Sequence, residues 1–177
     1  MSFTEIQPGV CPRPSDASSG FALNHCMLRV KDPFRSLDFY TRIMGMRLLR
    51  KLDFPEMKFS LYFLQQPQPG DTPPVDTGER TTWTFAQQGI LELTHNWGTE
   101  SDPAFAYHDG NAQPQGFGHI CFSVPDLDAA VRWFDENEIG FVKRPDQGRM
   151  KDVAFVKDPD GYWIEIVEPA RLANLGR

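Results

Sequence analysis

The sequence predicts an α+β protein built from two tandem βαβββ modules that follow an N-terminal arm. Three observations support this: a length of 177 residues, a repeat that aligns residues 23–45 with residues 117–140, and short extended runs after each copy of the repeat. We place the boundaries at 1–20 for the arm, 21–100 for the first module, 101–115 for a linker, 116–170 for the second module and 171–177 for a C-terminal tail.

Composition excludes several classes of protein. The net charge of -6, without a run of Lys or Arg, argues against a nucleic-acid surface, which needs a basic stripe. Three scattered cysteines without CxxC spacing argue against a disulfide framework and favour a reducing compartment. The N-terminus lacks the features of a signal peptide, and no run of 18 apolar residues occurs, so we expect a cytoplasmic protein that does not enter a membrane.

Each copy of the repeat combines a strand with a helix. A histidine stands at the third position, an aspartate follows seven residues later, and a glycine closes the unit 20 or 21 residues after the histidine. The aspartate is a helix N-cap candidate and the glycine a candidate for the helix end. These positions are His25, Asp32 and Gly45 in the first copy, and His119, Asp126 and Gly140 in the second.

Extended runs after each helix complete the modules. They are "KFSLYFL", "RTTWTFA" and "GILELTHNW" in the first half, and "GFVKRP", "DVAFVKD" and "YWIEIVE" in the second. The first half also carries a Pro/Gly-rich insertion at about residues 65–80, which we expect to be a surface loop. The string "DPDG" at 158–161 is typical of a tight turn, so its aspartates are turn formers rather than calcium ligands.

Two glutamates in otherwise apolar strands pair with the two histidines of the repeat. Side chains alternate along a strand, so His25 lies opposite the face of Leu28 and Val30. Glu92 and Glu165 likewise lie opposite apolar neighbours, one in the last strand of each half. If the halves fold alike, His25, Glu92, His119 and Glu165 converge, and a divalent metal offsets the cost of burying two carboxylates. Imidazole and carboxylate suit Zn²⁺, Ni²⁺, Co²⁺ or Fe²⁺.

Structural roles for these residues are the alternative. A single strand histidine is more often half-buried and hydrogen-bonded than a metal ligand, and a strand glutamate is more often solvated. Four such residues at repeat-equivalent positions favour the metal site instead. His95, on the apolar side of its strand, and His108, in a polar loop, are expected to have structural roles only.

A family resemblance appears in the strings "MLRVKDPFRSLDFYTRIMGM", "MKFSLYFL", "LELTHNWGTE", "GFGHI" and "DPDGYWIEI". They resemble the glyoxalase I (lactoylglutathione lyase) family of the vicinal oxygen chelate superfamily, over about residues 21–170. The insertion and the arm resemble the longer, eukaryotic-like form. The resemblance implies the same four metal ligands, with glutathione contacts at Arg29, Asn96, Gln115, Lys143, Arg149 and Met150.

Two positions depart from the long-form pattern. Eukaryotic members typically have glutamine at the first ligand position, whereas this chain has His25, as shorter bacterial forms do. The long form implies Zn²⁺, and the histidine keeps Ni²⁺ or Co²⁺ as alternatives. Gln115 stands where the family usually has arginine, which removes one cation from the expected glutathione site.

The resemblance also implies a reaction. Glutathione, as co-substrate, and methylglyoxal combine into a hemithioacetal, which the enzyme isomerises through an enediolate to S-lactoylglutathione, a step of methylglyoxal detoxification. A metal stabilises the developing charge, Glu165 is the expected base and Glu92 stands on the opposite side of the substrate. The family also implies a homodimer whose sites form where two chains meet. Rival hypotheses are an Fe²⁺-dependent extradiol-type dioxygenase and a metal-free small-molecule binding module of the same superfamily.

Overall fold

Two four-stranded mixed sheets form the protein in a computed structural model that describes residues 7–11 and 15–174. Much of the expected arm and the end of the tail, residues 1–6, 12–14 and 175–177, lie outside the described residues. The strands are β1 His25–Val30, β2 Arg47–Phe54, β3 Phe59–Gln65, β4 Ile90–Asn96, β5 His119–Ser123, β6 Phe141–Lys143, β7 Val153–Lys157 and β8 Trp163–Val167. The helices are α1 Pro33–Asp38, α2 Thr77–Phe85 and α3 Leu127–Glu136.

Both sheets have the same topology. The strand order is β1-β4-β3-β2 in the first sheet and β5-β8-β7-β6 in the second. In each sheet the first and last strands of the module pair in parallel, and the other pairs are antiparallel. A parallel pair requires a long crossover connection, which the intervening helix and strands supply. The α+β prediction with two βαβββ modules is confirmed.

One shared core joins the two sheets. It contains Leu28 and Val30 of β1, and Ile164 and Ile166 of β8, together with aromatic side chains of the helices such as Phe134. Two smaller clusters lie on the opposite faces, one around Phe63 and the other around Phe155. The alternation of strand side chains therefore separates a core face from a second, more open face in each sheet.

The helix starts agree with the sequence, and one helix end does not. The carboxylate of Asp32 accepts hydrogen bonds from Phe34 N and Arg35 N, and Asp126 accepts one from Ala129 N. Gly45 adopts a left-handed φ of 73° after the first helix, which continues beyond Asp38 as a π-helical turn over Phe39–Ile43. In α3 the expected end at Gly140 is wrong, because Glu138 takes the left-handed conformation at φ 57°.

The segment "RTTWTFA" is helical, so its prediction as a strand is wrong. Its threonines and aromatics have strand propensity, but Asp76 caps the helix by accepting hydrogen bonds from Gly78 N and Glu79 N at 2.9 Å each. Trp83 then packs on the cluster around Phe63. The Asp76-x-x-Glu79 spacing is the sequence signal that predicts this start. The expected insertion loop at 65–80 accordingly ends in the first turn of α2.

The strand that takes the place of the wrongly predicted one is β2, at the outer edge of the first sheet, and the sequence analysis did not predict it. A register shift between Leu48 and Arg50 interrupts its pairing with β3. Such a bulge puts an extra residue into the strand and breaks the period-2 alternation by which strands are recognised.

The "DPDG" turn joins the two modules. Asp158 accepts hydrogen bonds from Tyr40 Oη at 2.9 Å and from Asp160 N and Tyr162 N, while Asp160 accepts bonds from Lys31 N and Ser36 Oγ. Lys31, Ser36 and Tyr40 belong to the first module, where they lie just after β1, in α1 and in the π-helical turn. The aspartates are therefore turn formers, as expected, and they also fasten the second module to the first.

None of the helices within residues 7–11 and 15–174 is long and apolar enough to span a membrane.

The pH dependence of stability follows from Asp158. Burial raises the pKa of its carboxyl group to about 6, above its ordinary value of 3.8. The folded state then binds this proton more tightly than the unfolded state. The stabilisation of the folded state by the bound proton is therefore complete below about pH 4 and is lost as the pH rises through 6. Between pH 4 and 6.5 we expect Asp158 to reduce the free energy of unfolding by up to about 3 kcal/mol.

Urea unfolding of the protein and of Asp158→Asn at several pH values measures this effect. The variant should lack the Asp158 component of the pH dependence, because an amide does not titrate. Parallel pH profiles for the two proteins would contradict the assignment.

A second prediction concerns Gly110, in the segment between the modules. Its φ is 85°, and a Cβ there would lie 1.7 Å from the carbonyl oxygen of Phe117. Gly70 has the same φ with nothing within 4 Å of its Cβ position. We expect Gly110→Ala to lower the free energy of unfolding by more than about 3 kcal/mol, and Gly70→Ala by about 1 kcal/mol. Equal losses in chemical denaturation would show that the close contact with Phe117 is immaterial.

Candidate metal centre

The open face of the first sheet carries a histidine–glutamate pair. His25 Nε2 lies 3.0 Å from Glu92 Oε2, and the side chains are 31% and 11% exposed. Thr94 Oγ1 donates to the other carboxylate oxygen of Glu92 at 3.0 Å, and Asn24 Oδ1 lies 2.7 Å from His25 Nδ1. Both polar groups of the pair are thus held from two sides.

The second sheet carries the equivalent pair. His119 Nε2 lies 3.3 Å from Glu165 Oε2, with side chains 41% and 19% exposed. The ring of Phe155 packs edge-on against His119, with the ring centroids 5.3 Å apart. Val167 stands two residues after Glu165, where Thr94 stands after Glu92, so the second carboxylate has no hydroxyl at the matching position. This pair is looser and more open than the first.

The two pairs do not meet within one chain. In the described part of the chain, no group of three or more His, Cys, Asp and Glu side chains is close enough to hold a metal ion. The expected convergence of His25, Glu92, His119 and Glu165 therefore does not take place within one chain. Each module instead presents an imidazole nitrogen and a carboxylate oxygen that face one another, the donor types that bind Zn²⁺, Ni²⁺ or Co²⁺.

A cavity beside the first pair changes the interpretation of one cysteine. The space of about 400 Å³ is lined by residues from the start of β1 and from most of β5, including His25, Cys26, Cys121 and Ser123. Cys26 is exposed, although alternation assigns it to the core face. It lies at the beginning of its strand, where the core has already opened into this cavity.

Arg29 and Asn96, two expected glutathione contacts, lie in the first module. Arg29 is exposed and lines a cavity of about 420 Å³ together with Tyr107, His108 and Phe117. Asn96 Nδ2 donates to Tyr107 Oη at 3.1 Å. Sequence reasoning missed Tyr107, since an isolated tyrosine in a loop carries no periodic signal.

The other expected contacts are dispersed. Arg149 and Met150 are exposed in the loop between β6 and β7, and Gln115 is exposed between the modules. Lys143, in β6, donates from Nζ to Val153 O and Arg144 O. Burial lowers the pKa of its ammonium group, and the nearby Lys151 acts in the same direction. The cavity beside Arg29 is lined by Gly116, the neighbour of Gln115, but not by Lys143, Arg149 or Met150.

The two remaining histidines make hydrogen bonds within the fold, as a structural role requires. His95 is buried, and its Nε2 lies 2.7 Å from Glu100 Oε2. His108 Nδ1 accepts a hydrogen bond from Gly110 N at 2.9 Å. Asn24 is a polar residue beside the site that sequence reasoning missed, because an asparagine just before a strand is equally typical of a turn.

Comparison with known proteins gives close relatives along the whole chain. A lactoylglutathione lyase of Pseudomonas aeruginosa is 57% identical over 178 residues, which cover 100% of this chain and 99% of that protein. A lactoylglutathione lyase of Pseudomonas putida is 53% identical over 97% of this chain and 100% of the relative. A glyoxalase I of Saccharomyces cerevisiae is 50% identical over 84% of this chain, but over only 45% of its own length.

Solved structures and a family profile agree with these relatives. A glyoxalase I from Leishmania major, described as trypanothione-dependent, superposes with a TM-score of 0.65 at 30% identity, covering 86% of this chain and 90% of that one. A glyoxalase I from Zea mays superposes with a TM-score of 0.61 at 27% identity, covering 83% of this chain and 44% of that one. The profile matches residues 22–166. The chain therefore belongs to the Glyoxalase/Bleomycin resistance protein/Dioxygenase superfamily.

Proposed function

We propose that the chain is a metal-dependent lactoylglutathione lyase that isomerises the hemithioacetal of methylglyoxal and glutathione to S-lactoylglutathione. The observation that carries this proposal is the pair of repeat-equivalent histidine–glutamate contacts on the open faces of the two sheets. The relatives from the two Pseudomonas species, which match along nearly their whole length, support the same activity.

The metal would be held by His25 and Glu92 of one module and by His119 and Glu165 of another. This donor set of two imidazoles and two carboxylates suits Zn²⁺, which we favour, and Ni²⁺ or Co²⁺ as alternatives. When bound, the ion would stabilise the negative charge that develops on the substrate oxygens. The two His–Glu distances of 3.0 and 3.3 Å support this assignment, because each imidazole already faces its carboxylate.

Glu165 is the proposed base that takes the carbon-bound proton and returns it to the neighbouring carbon. The asymmetry of the pairs supports this role. Glu92 is held by His25 and by the hydroxyl of Thr94. Glu165 has only the thiol of Cys121, a weaker donor, as a second partner, and its contact with its histidine is longer. A base must move between two carbons of the substrate, and the less constrained carboxylate is better suited to that task. Glu92 would stay in place on the opposite side of the substrate.

A homodimer would complete the site. One subunit offers two ligands at each of two separate places, while a divalent metal with four protein ligands requires both pairs together. We propose that the first module of one subunit faces the second module of its partner, so that a dimer has two complete sites. The separation of the two pairs within one chain supports this arrangement.

Glutathione recognition is proposed for Arg29, Asn96, Lys143, Arg149 and Met150, with Gln115 in place of a cation. Arg29 and Asn96 lie in the first module, whereas Lys143, Arg149 and Met150 lie in the second, which is the distribution that a shared site needs. Gln115 offers a neutral amide, which cannot make a charge-assisted contact with a carboxylate. We therefore expect weaker binding of the glutathione carboxylate at this position. A cytoplasmic location, where glutathione is available, fits this substrate.

A third prediction concerns the metal. Protein stripped with EDTA should lose hemithioacetal isomerisation and regain it with Zn²⁺, with Ni²⁺ and Co²⁺ tested separately. Glu165→Gln should lower kcat about 10²–10⁴-fold when the metal is restored, because the general base is lost. Ultraviolet absorbance of the thioester product follows the reaction. Iron bound to the purified protein, without isomerisation, would favour a dioxygenase, and no isomerisation with any metal would contradict the lyase.

A matched pair of histidine variants separates ligands from structural residues. His25→Ala should lose bound metal, because one of four ligands is removed. His95→Ala should retain the metal and lower the free energy of unfolding, because removal of the buried ring leaves a cavity. Metal content per chain after dialysis, measured beside thermal unfolding, distinguishes them. Loss of metal in both variants would show that the site depends on His95 as well.

Mixing two inactive variants tests the shared site. One variant carries His25→Ala with Glu92→Gln, and the other carries His119→Ala with Glu165→Gln. If sites form between subunits, a mixed dimer contains one site with all four ligands, and random reassociation should restore about a quarter of the native activity. If each chain closes its own site, mixing should restore nothing. Either variant alone is the control.

A further inference from the structure

The side chain of Asn24 connects the inserted segment of the first module with His25. This segment runs from the Pro/Gly-rich loop to the end of α2 and has no counterpart in the described residues of the second module. Its Nδ2 donates to the carbonyl oxygens of Thr84, Phe85 and Gln87 at 3.3, 3.1 and 2.7 Å, which lie at the C-terminal end of α2. Its Oδ1 lies 2.7 Å from His25 Nδ1. One amide therefore caps a helix with one end and contacts an imidazole with the other.

These contacts fix the orientation of the amide and the tautomer of the ring. Carbonyl oxygens only accept hydrogen bonds, so the NH2 group of Asn24 must face the three carbonyls. The amide oxygen must then face His25, and since this oxygen cannot donate, His25 Nδ1 must carry the proton. In the neutral imidazole Nε2 is left with its lone pair, on the side of Glu92. This is the tautomer that a metal ligand bound through Nε2 requires.

A second contact joins α2 to the same ring. The ring of Phe85, the last residue of α2, lies edge-on to His25 with the centroids 6.2 Å apart, and it also packs on Phe63. Phe63 in turn contacts His25 at 5.8 Å. The imidazole is therefore fixed in direction by Asn24 and enclosed by two aromatic rings, one of which belongs to the insertion.

The second module lacks this arrangement. Gly118 precedes His119 where Asn24 precedes His25, so no side chain is available at that position. Within residues 7–11 and 15–174, no hydrogen bond reaches Nδ1 of His119, and its module has no counterpart of α2. The two half-sites are equivalent in their ligands and different in their support.

We propose that Asn24 is a positioning residue that holds His25 in the tautomer and orientation for binding metal through Nε2, and that it couples the insertion helix α2 to this half-site. The inference rests on the metal site of the proposed function. It assigns a role to the insertion, because the side chain that hydrogen-bonds to the last carbonyl groups of its helix also orients His25.

Zinc affinity and the tautomer of His25 test the proposal in the full-length protein. Zn²⁺ dissociation constants come from competition with a chromophoric chelator, and ¹⁵N chemical shifts of the His25 ring report which nitrogen is protonated. Asn24→Ala should weaken Zn²⁺ binding about 10- to 100-fold and abolish the preference for a protonated Nδ1. Asn137→Ala is the matched control, because Asn137 Nδ2 donates to Trp133 O at the end of α3 without touching either pair.

Asn24→Asp distinguishes the role of the amide oxygen from that of the NH2 group. It also replaces Asn24→Ala as the test variant if that protein does not fold. It keeps an oxygen beside His25 Nδ1 but loses the donors to α2. We expect the tautomer and the Zn²⁺ affinity to be retained, while hydrogen exchange of the amides at the end of α2 accelerates. A native His25 with Nδ1 unprotonated would overturn the proposal, as would Zn²⁺ binding that Asn24→Ala leaves unchanged or that Asn137→Ala weakens equally.

These measurements do not use the substrate, so they separate this inference from the proposed activity. A protein that binds Zn²⁺ in an Asn24-dependent way but does not isomerise the hemithioacetal would support the role of Asn24 and contradict the lyase. A protein that isomerises the hemithioacetal with unchanged Zn²⁺ affinity in Asn24→Ala would support the lyase and overturn the role of Asn24.

Discussion

The parallel pairing of the first and last strands in each module is the constraint on which the site depends. His25 pairs with Ile90, two residues before Glu92, and His119 pairs with Trp163, two residues before Glu165. The register is therefore the same in both modules. A shift of the strand register by one residue would place each glutamate side chain in the core. The neighbouring leucine or isoleucine side chains would then be exposed to solvent. The apolar pattern that builds the core thus also holds each imidazole next to its carboxylate.

The two half-sites share this register but differ in rigidity. In the first, Thr94 holds Glu92, Asn24 contacts His25, and the end of α2 encloses the ring. In the second, Val167 and Gly118 occupy the matching positions, and the contact between His119 and Glu165 is longer. Groups that are hydrogen-bonded from several sides lose less entropy when they bind a ligand. The repeat supplies two similar modules, and a few side chains make one of them rigid and the other adaptable.

Packing within the chain explains why the two pairs stay apart. The apolar faces of both sheets contribute to one core, and the "DPDG" turn of the second module is fastened to β1 and α1 of the first through Asp158 and Asp160. The pairs lie on the faces of the sheets that are turned away from this core, beside Phe63 and Phe155. Joining the modules in this way stabilises the chain and leaves both pairs partly exposed.

By itself, the sequence determined the α+β class, the repeat, the helix caps at Asp32 and Asp126, and the histidines and glutamates that form the pairs. These depend on local chemistry and on strand alternation, which are read along the chain. Tertiary structure decided the rest. The bulge in β2 hid a strand, packing of Trp83 on the first sheet made "RTTWTFA" a helix, and the role of Asn24 depends on carbonyl groups 60 to 63 residues away. The separation of the two pairs is likewise a result of packing, because a repeat specifies what each module contains but not how the modules are oriented towards each other.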